Sequence, residues 1–234
     1  MWNQRFSSFS EKCFLKISIS FLLFLIAENV NAQNDMKVHL KEGCGTNPTI
    51  QIDSLMIEPA NLYCQPRPWN TQSPSIQLEM NILDGNDSYQ SFLYYYEESN
   101  NPIRCNLPKG IGNHLFSLDV GEDSVDLLIE TLDLGDIFTF DLKNKKGVVI
   151  EGLVITYDSG YIANDVNPDG SYAGYTVSHS LKLFDGSEKG MVTFSYDSNE
   201  GNAEVTDTKV WKGFQLELIS LSNEFLTLKV SRTN

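Results

Sequence analysis

Past residue 35, apolar side chains recur at every second position and almost never at the spacing of a helix face. A strict two-residue period suits a pleated strand with one face on a core and the other in water, so it predicts a chain built of strands throughout. Twelve segments carry the pattern: 37–41, 49–57, 76–83, 89–97, 114–118, 125–131, 136–142, 147–157, 174–184, 190–196, 208–221 and 224–231. The last hairpin shows it most cleanly, with Phe214, Leu216 and Leu218 alternating with Gln215 and Glu217. Gly213, beside Trp211, is expected to mark a bulge in the long strand 208–221. Turn chemistry separates the runs, as at Asp84-Gly85-Asn86-Asp87 and from Asp185 to Gly190. Many short strands joined by hairpin-length loops predict an all-β antiparallel β-sandwich, one large or two small, with a barrel as the alternative. A boundary between two sandwiches would fall near 98–113, where prolines, asparagines and glycines interrupt the strands.

The first 32 residues stand apart. Arg5, Lys12 and Lys16 lead into an apolar run from Phe14 to Ala27, followed by Val30-Asn31-Ala32. That order of basic, apolar and small residues is a secretory signal peptide, cleaved before Gln33. The apolar run is shorter than the ~20 residues a bilayer span needs, and nothing later in the chain is long and apolar enough to be a span. The mature region is then 33–234, destined for secretion, the periplasm or the cell surface. Cleavage removes three basic and two acidic residues, moving the formal charge from −14 to −15. So acidic a surface repels phosphate backbones, which makes nucleic acid an improbable partner.

Export also bears on the cysteines. Cys44, Cys64 and Cys105 stay in the mature chain, enough for one bridge and one spare thiol. Cys64 precedes the hairpin 76–83/89–97 and Cys105 follows it, so both can return to its open end, which favours a pairing of Cys64 with Cys105. Pairings of Cys44 stay open if its loop folds back.

The sharpest local motif is Asp165-Val166-Asn167-Pro168-Asp169-Gly170-Ser171, with oxygen-bearing side chains at alternate positions before a turn glycine. It resembles the opening of the calcium loop of EF-hands and dockerin modules, with Asp165, Asn167 and Asp169 at the first, third and fifth positions and Gly170 at the sixth. The resemblance covers about a dozen residues and implies a Ca2+ site on Asp165, Asn167, Asp169 and Ser171. It departs from that loop at the twelfth position, where Thr176 replaces a bidentate Glu. A plain surface turn is the simpler account of Pro-Asp-Gly, which is turn chemistry that needs no ion.

Other chemistry is sparse. Asp119, Glu122, Asp123, Asp126, Glu130, Asp133, Asp136 and Asp141 form an acidic run with no intervening Lys or Arg. Paired carboxylates are what glycoside hydrolysis needs, but the alternation with Val125, Leu127 and Ile129 assigns these charges to solvated strand faces. Of three histidines, His39 is expected in water, His114 at a loop-strand junction and His179 on the core side with Tyr175, Val177, Leu181 and Leu183. No His-Glu-x-x-His, Cys-x-x-Cys pair, Gly-x-Ser-x-Gly or phosphate-cradling glycine motif occurs, so no catalytic residue is assigned.

Aromatics are the remaining resource. Phe92, Tyr94 and Tyr96 share one strand face, and Trp69 sits in the proline-rich segment 58–75, read as a long irregular loop. Core packing is the simpler account of such a row. Tyr94 and Tyr96, if exposed beside Trp69, would instead make a platform for a sugar or a protein. The expectation is an exported, non-catalytic β-sandwich binding protein that recognises a protein or glycan through loops 58–75 and 98–113. The alternatives are a carbohydrate-active enzyme using two of the carboxylates and a secreted enzyme inhibitor with acidic loops.

Overall fold

The computed structural model describes residues 35–65, 73–97, 106–142, 147–197, 207–221 and 225–233. The segment 1–32, read from the sequence as a signal peptide, lies outside them. The chain is all-β: every element among the described residues is a strand, and together they form the antiparallel sheets of a sandwich, with no closed barrel.

The first strands are β1 (Met36–Leu40), β2 (Gly43–Cys44), β3 (Ile50–Ile52), β4 (Leu55–Cys64), β5 (Ile76–Asp84) and β6 (Asp87–Tyr95). Next come β7 (Lys109–Ile111), β8 (His114–Val120), β9 (Val125–Thr131) and β10 (Ile137–Asp141). The C-terminal part holds β11 (Val148–Ile150), β12 (Leu153–Val166), β13 (Tyr172–Phe184), β14 (Lys189–Asp197), β15 (Thr208–Trp211), β16 (Phe214–Leu221) and β17 (Phe225–Arg232). One sheet runs β1-β9-β8-β7-β10-β17-β16-β15, a second β11-β12-β13-β14 and a third β2-β4-β5-β6, with β3 also on β4.

Two hydrophobic cores result, because the eight-stranded sheet is covered by a different sheet over each half. Ile57, Leu78, Met80 and Ile82 of the third sheet meet Phe116, Leu127 and Ile129 of the first. Ile155, Leu181 and Phe194 of the second sheet meet Phe138, Phe140, Leu216 and Leu228 of the same eight-stranded sheet. The halves join where β7 lies beside β10 with Thr139 opposite Lys109, a parallel pairing among named strands that otherwise pair antiparallel. Parallel neighbours need a long crossover, and the hairpin β8–β9 supplies it. Gly110 sits at this seam, where a Cβ would lie 2.8 Å from both the Phe138 ring and Val148.

Several boundaries differ from the sequence reading, and strand β12 runs on to Val166, past the end expected at 157. The segment 49–57 is two strands turned at Asp53, which adopts a positive φ of 49°. The run 147–157 divides at Glu151-Gly152 (φ 45° and 80°), and 208–221 divides at Lys212-Gly213 (φ 47° and 78°). Positive φ at both central residues defines the tight type I′ hairpin turn, so Gly213 closes a hairpin and is not a bulge. Finally, the irregular loop assigned to 58–75 is strand as far as Cys64. Pro59 sits beside a register shift in β4, the irregular kind of position that proline in a sheet takes.

Candidate functional site

The outer face of the third sheet is built by alternation. On β5, Leu78, Met80 and Ile82 turn inward and are fully buried, which forces Gln77, Glu79 and Asn81 outward. Cross-strand register then fixes their neighbours: Gln77 lies between Tyr63 and Tyr94, Glu79 between Asn61 and Phe92, and Asn81 between Glu58 and Gln90. The turn at Gly85 (φ 63°) and Asn86 holds β5 and β6 in this register.

The face has an aromatic half and a polar half. Phe92 and Tyr94 stack with ring centroids 6.3 Å apart and planes 10° from parallel, and Tyr96 follows 6.5 Å from Tyr94 at a 47° tilt. Tyr63 is 54% exposed and Tyr94 42%. Beside the rings, the Asn81 amide donates to Glu58 Oε2 at 3.0 Å, and the Gln90 amide donates to Glu79 Oε1 at 2.9 Å and Asn81 Oδ1 at 3.5 Å. The backbone amides of Tyr96 and Glu97 donate to Asn106 Oδ1 and Ser75 Oγ, which anchors the end of the aromatic strand. Core packing, the simpler expectation for the row Phe92, Tyr94 and Tyr96, is corrected. Leu93, at 3% exposure, and Tyr95 face the core, and the row faces out. Trp69 lies outside the described residues.

The loop 165–171 is the tip of the hairpin β12–β13. Asp165 belongs to β12, opposite Gly174, and accepts from the Thr176 hydroxyl at 3.3 Å. Asp169 accepts from the Ser171 amide and hydroxyl at 2.9 and 2.7 Å, and Asn167 donates to Ser171 Oγ at 2.9 Å. The Ser171 hydroxyl and amide hold the Asp169 carboxyl below its ordinary range. Both bonds fall on Asp169 Oδ1, so the loop holds its turn through its own side chains. Among the described residues, no group of three or more His, Cys, Asp or Glu side chains is placed to hold a metal ion.

The acidic run is not uniformly solvated. Asp126 is only 7% exposed, and it meets Lys37 at 3.2 Å and His39 at 3.0 Å, while Lys37 also reaches Asp119 at 2.6 Å. Burial alone would raise the Asp126 pKa, but hydrogen bonds from His39 and Lys37 outweigh it and hold the carboxyl down. A glycosidase acid needs the opposite shift, so Asp126 does not have the raised carboxyl which that role requires.

His39 is exposed, as expected. His114 opens β8, is buried, and meets Asp53 Oδ2 at 3.0 Å. His179 is 3% exposed in the second core, edge-on to Tyr157, whose hydroxyl lies 3.5 Å from Nδ1. Gly160 opposite makes room for it: a Cβ there would collide with His179 Nδ1 and lie 2.7 Å from the Tyr157 hydroxyl.

Cys44 and Cys64 are free thiols in this structure. Cys44 pairs with outward-facing Asn61 and Cys64 with core-facing Ile76, so opposite faces of the sheet keep them apart. Burial, and then the charge of Glu42, push the Cys64 thiol up. Cys105 lies outside the described residues, and its pairing with Cys64 stays a proposal for the oxidised protein. No helix among the described residues is long and apolar enough to cross a membrane. No protein-family model and no curated protein matches the chain.

Proposed function

We propose that this chain is an exported, non-catalytic binding protein that recognises a glycan on the outer face of β4, β5 and β6. The observation that carries the reading is the row of Phe92, Tyr94 and Tyr96 beside the hydrogen-bonded row of Glu58, Asn81, Gln90 and Glu79. A pyranose ring presents apolar C–H faces, which pack on aromatic rings, and equatorial hydroxyls, which amides and carboxylates recognise. Ring separations near 6 Å place successive aromatics about one sugar residue apart. Recognition thereby moves from the loops 58–75 and 98–113 to a sheet face, whose register is set by ladder bonds and needs no ordering on binding. Export rests on the leader 1–32.

Affinity gel electrophoresis of the mature protein against soluble polysaccharides tests the reading. Retardation by at least one glycan is expected, weakened about tenfold in Tyr94→Ala, equivalent to ~1.4 kcal/mol, with no reducing ends released. Retardation unchanged in Tyr94→Ala and Tyr63→Ala would remove the sheet face from recognition, and turnover would show an enzyme.

A further inference from the structure

Strands β2 to β6 contain no Lys, Arg or His. On their outer face the charged side chains are Glu58 and Glu79, one on each of two adjacent strands and both inside the polar row. We propose that these two carboxylates make the site selective for uncharged glycans, with Glu58 and Glu79 as its specificity-determining residues. The inference rests on the glycan reading above and names the ligand class that reading leaves open.

A carboxylate only accepts hydrogen bonds, and it has room for several. Glu58 spends one oxygen on the Asn81 amide and Glu79 one on the Gln90 amide. Each pair thus holds a ligand-facing amide in one orientation. The remaining acceptor capacity suits the hydroxyl donors of a neutral sugar lying across the rings. A uronic acid or sulfated sugar brings an anion to the same place. It would find acceptors where it needs donors, with no cation on these strands to offset the charge. The Lys37 cluster shows the contrast elsewhere on the molecule, since there each carboxylate has a cationic partner.

The test compares neutral probes (mixed-linkage β-glucan, xyloglucan, galactomannan) with anionic ones (polygalacturonate, alginate) by affinity electrophoresis at about 0.15 M salt, where charges beyond roughly 8 Å are screened. The wild-type protein is expected to bind its best neutral probe at least about tenfold more tightly than either anionic one. Glu58→Gln/Glu79→Gln keeps an acceptor oxygen for each amide while removing both charges, and should narrow that gap about threefold or more. Anionic probes bound as tightly as neutral ones would overturn the selectivity while the glycan reading stands. A gap unchanged in the double variant would overturn the role of Glu58 and Glu79. If the folded protein, checked by its melting transition, is retarded by none of the five probes, the glycan reading falls and takes this inference with it.

Discussion

At the scale of single residues, the tightest polar arrangement is structural and lies far from the aromatic face. Asp185 closes the turn between β13 and β14 by accepting from the Ser187 amide (2.9 Å), the Ser187 hydroxyl (2.8 Å) and the Glu188 amide (2.8 Å) through Oδ1. Lys212 reaches Oδ2 at 3.1 Å. The Glu188 and Ser187 amides, then the Ser187 hydroxyl, hold its carboxyl far below the ordinary range. A carboxyl lower in the native state than in the unfolded chain adds stability that is complete at neutral pH. That stability begins to fade as pH falls past the unfolded value near 4 and is gone once the native carboxyl is protonated. The denaturation midpoint should therefore fall on acidification below about pH 4, and fall less in Asp185→Asn. Equal slopes in the two proteins would show that the turn is not a source of acid lability. The Asp-Gly-Ser-Glu pattern made this turn legible in the sequence, whereas the ion pairs on Asp126 depend on β1 lying beside β9.

At the scale of elements, tight turns decide what alternation cannot. Glu151-Gly152 and Lys212-Gly213 each cut one apolar run into a two-strand hairpin. Neither carries the Asn-Gly or Asp-Gly signal of a type I′ turn, so the runs look continuous. Glu151 holds its left-handed conformation (φ 45°) despite a Cβ penalty, and its ion pair with Arg232 at 3.2 Å is half-exposed, the kind that contributes ~0–1 kcal/mol. Glu151→Asn is expected to raise unfolding free energy by about 0.5–1 kcal/mol in urea titration, because Asn tolerates that region. A lower midpoint would mean that the ion pair outweighs the turn strain. The same lesson applies to the aromatic face. The sequence places Phe92, Tyr94 and Tyr96 together, but which face meets the core depends on the third sheet covering β8 and β9.

At the scale of the molecule, the eight-stranded sheet spans two cores, and Gly110 sits where they meet. Strands shared by two cores cannot be lost from one without unpairing the other, so a single cooperative transition is expected. Phe138, fully buried in the second core and next to Gly110, gives the test. Phe138→Ala should cost about 3–5 kcal/mol and move the whole curve to lower denaturant in one step. A biphasic curve would show that the two sandwiches unfold independently.

Two-residue periodicity alone determined that this chain is all-β and which residues of each strand lie on a common face, because a pleated strand admits no other disposition of its side chains. Composition and the leader set the charge and the expectation of export. Only the tertiary structure decided which of two equally regular faces is buried, that one sheet serves two cores, and that Tyr63, Glu58, Glu79, Gln90 and Tyr94 share a surface. The physical reason is that register and sheet order arise from pairings between strands distant in sequence, and a local pattern holds no record of its partner.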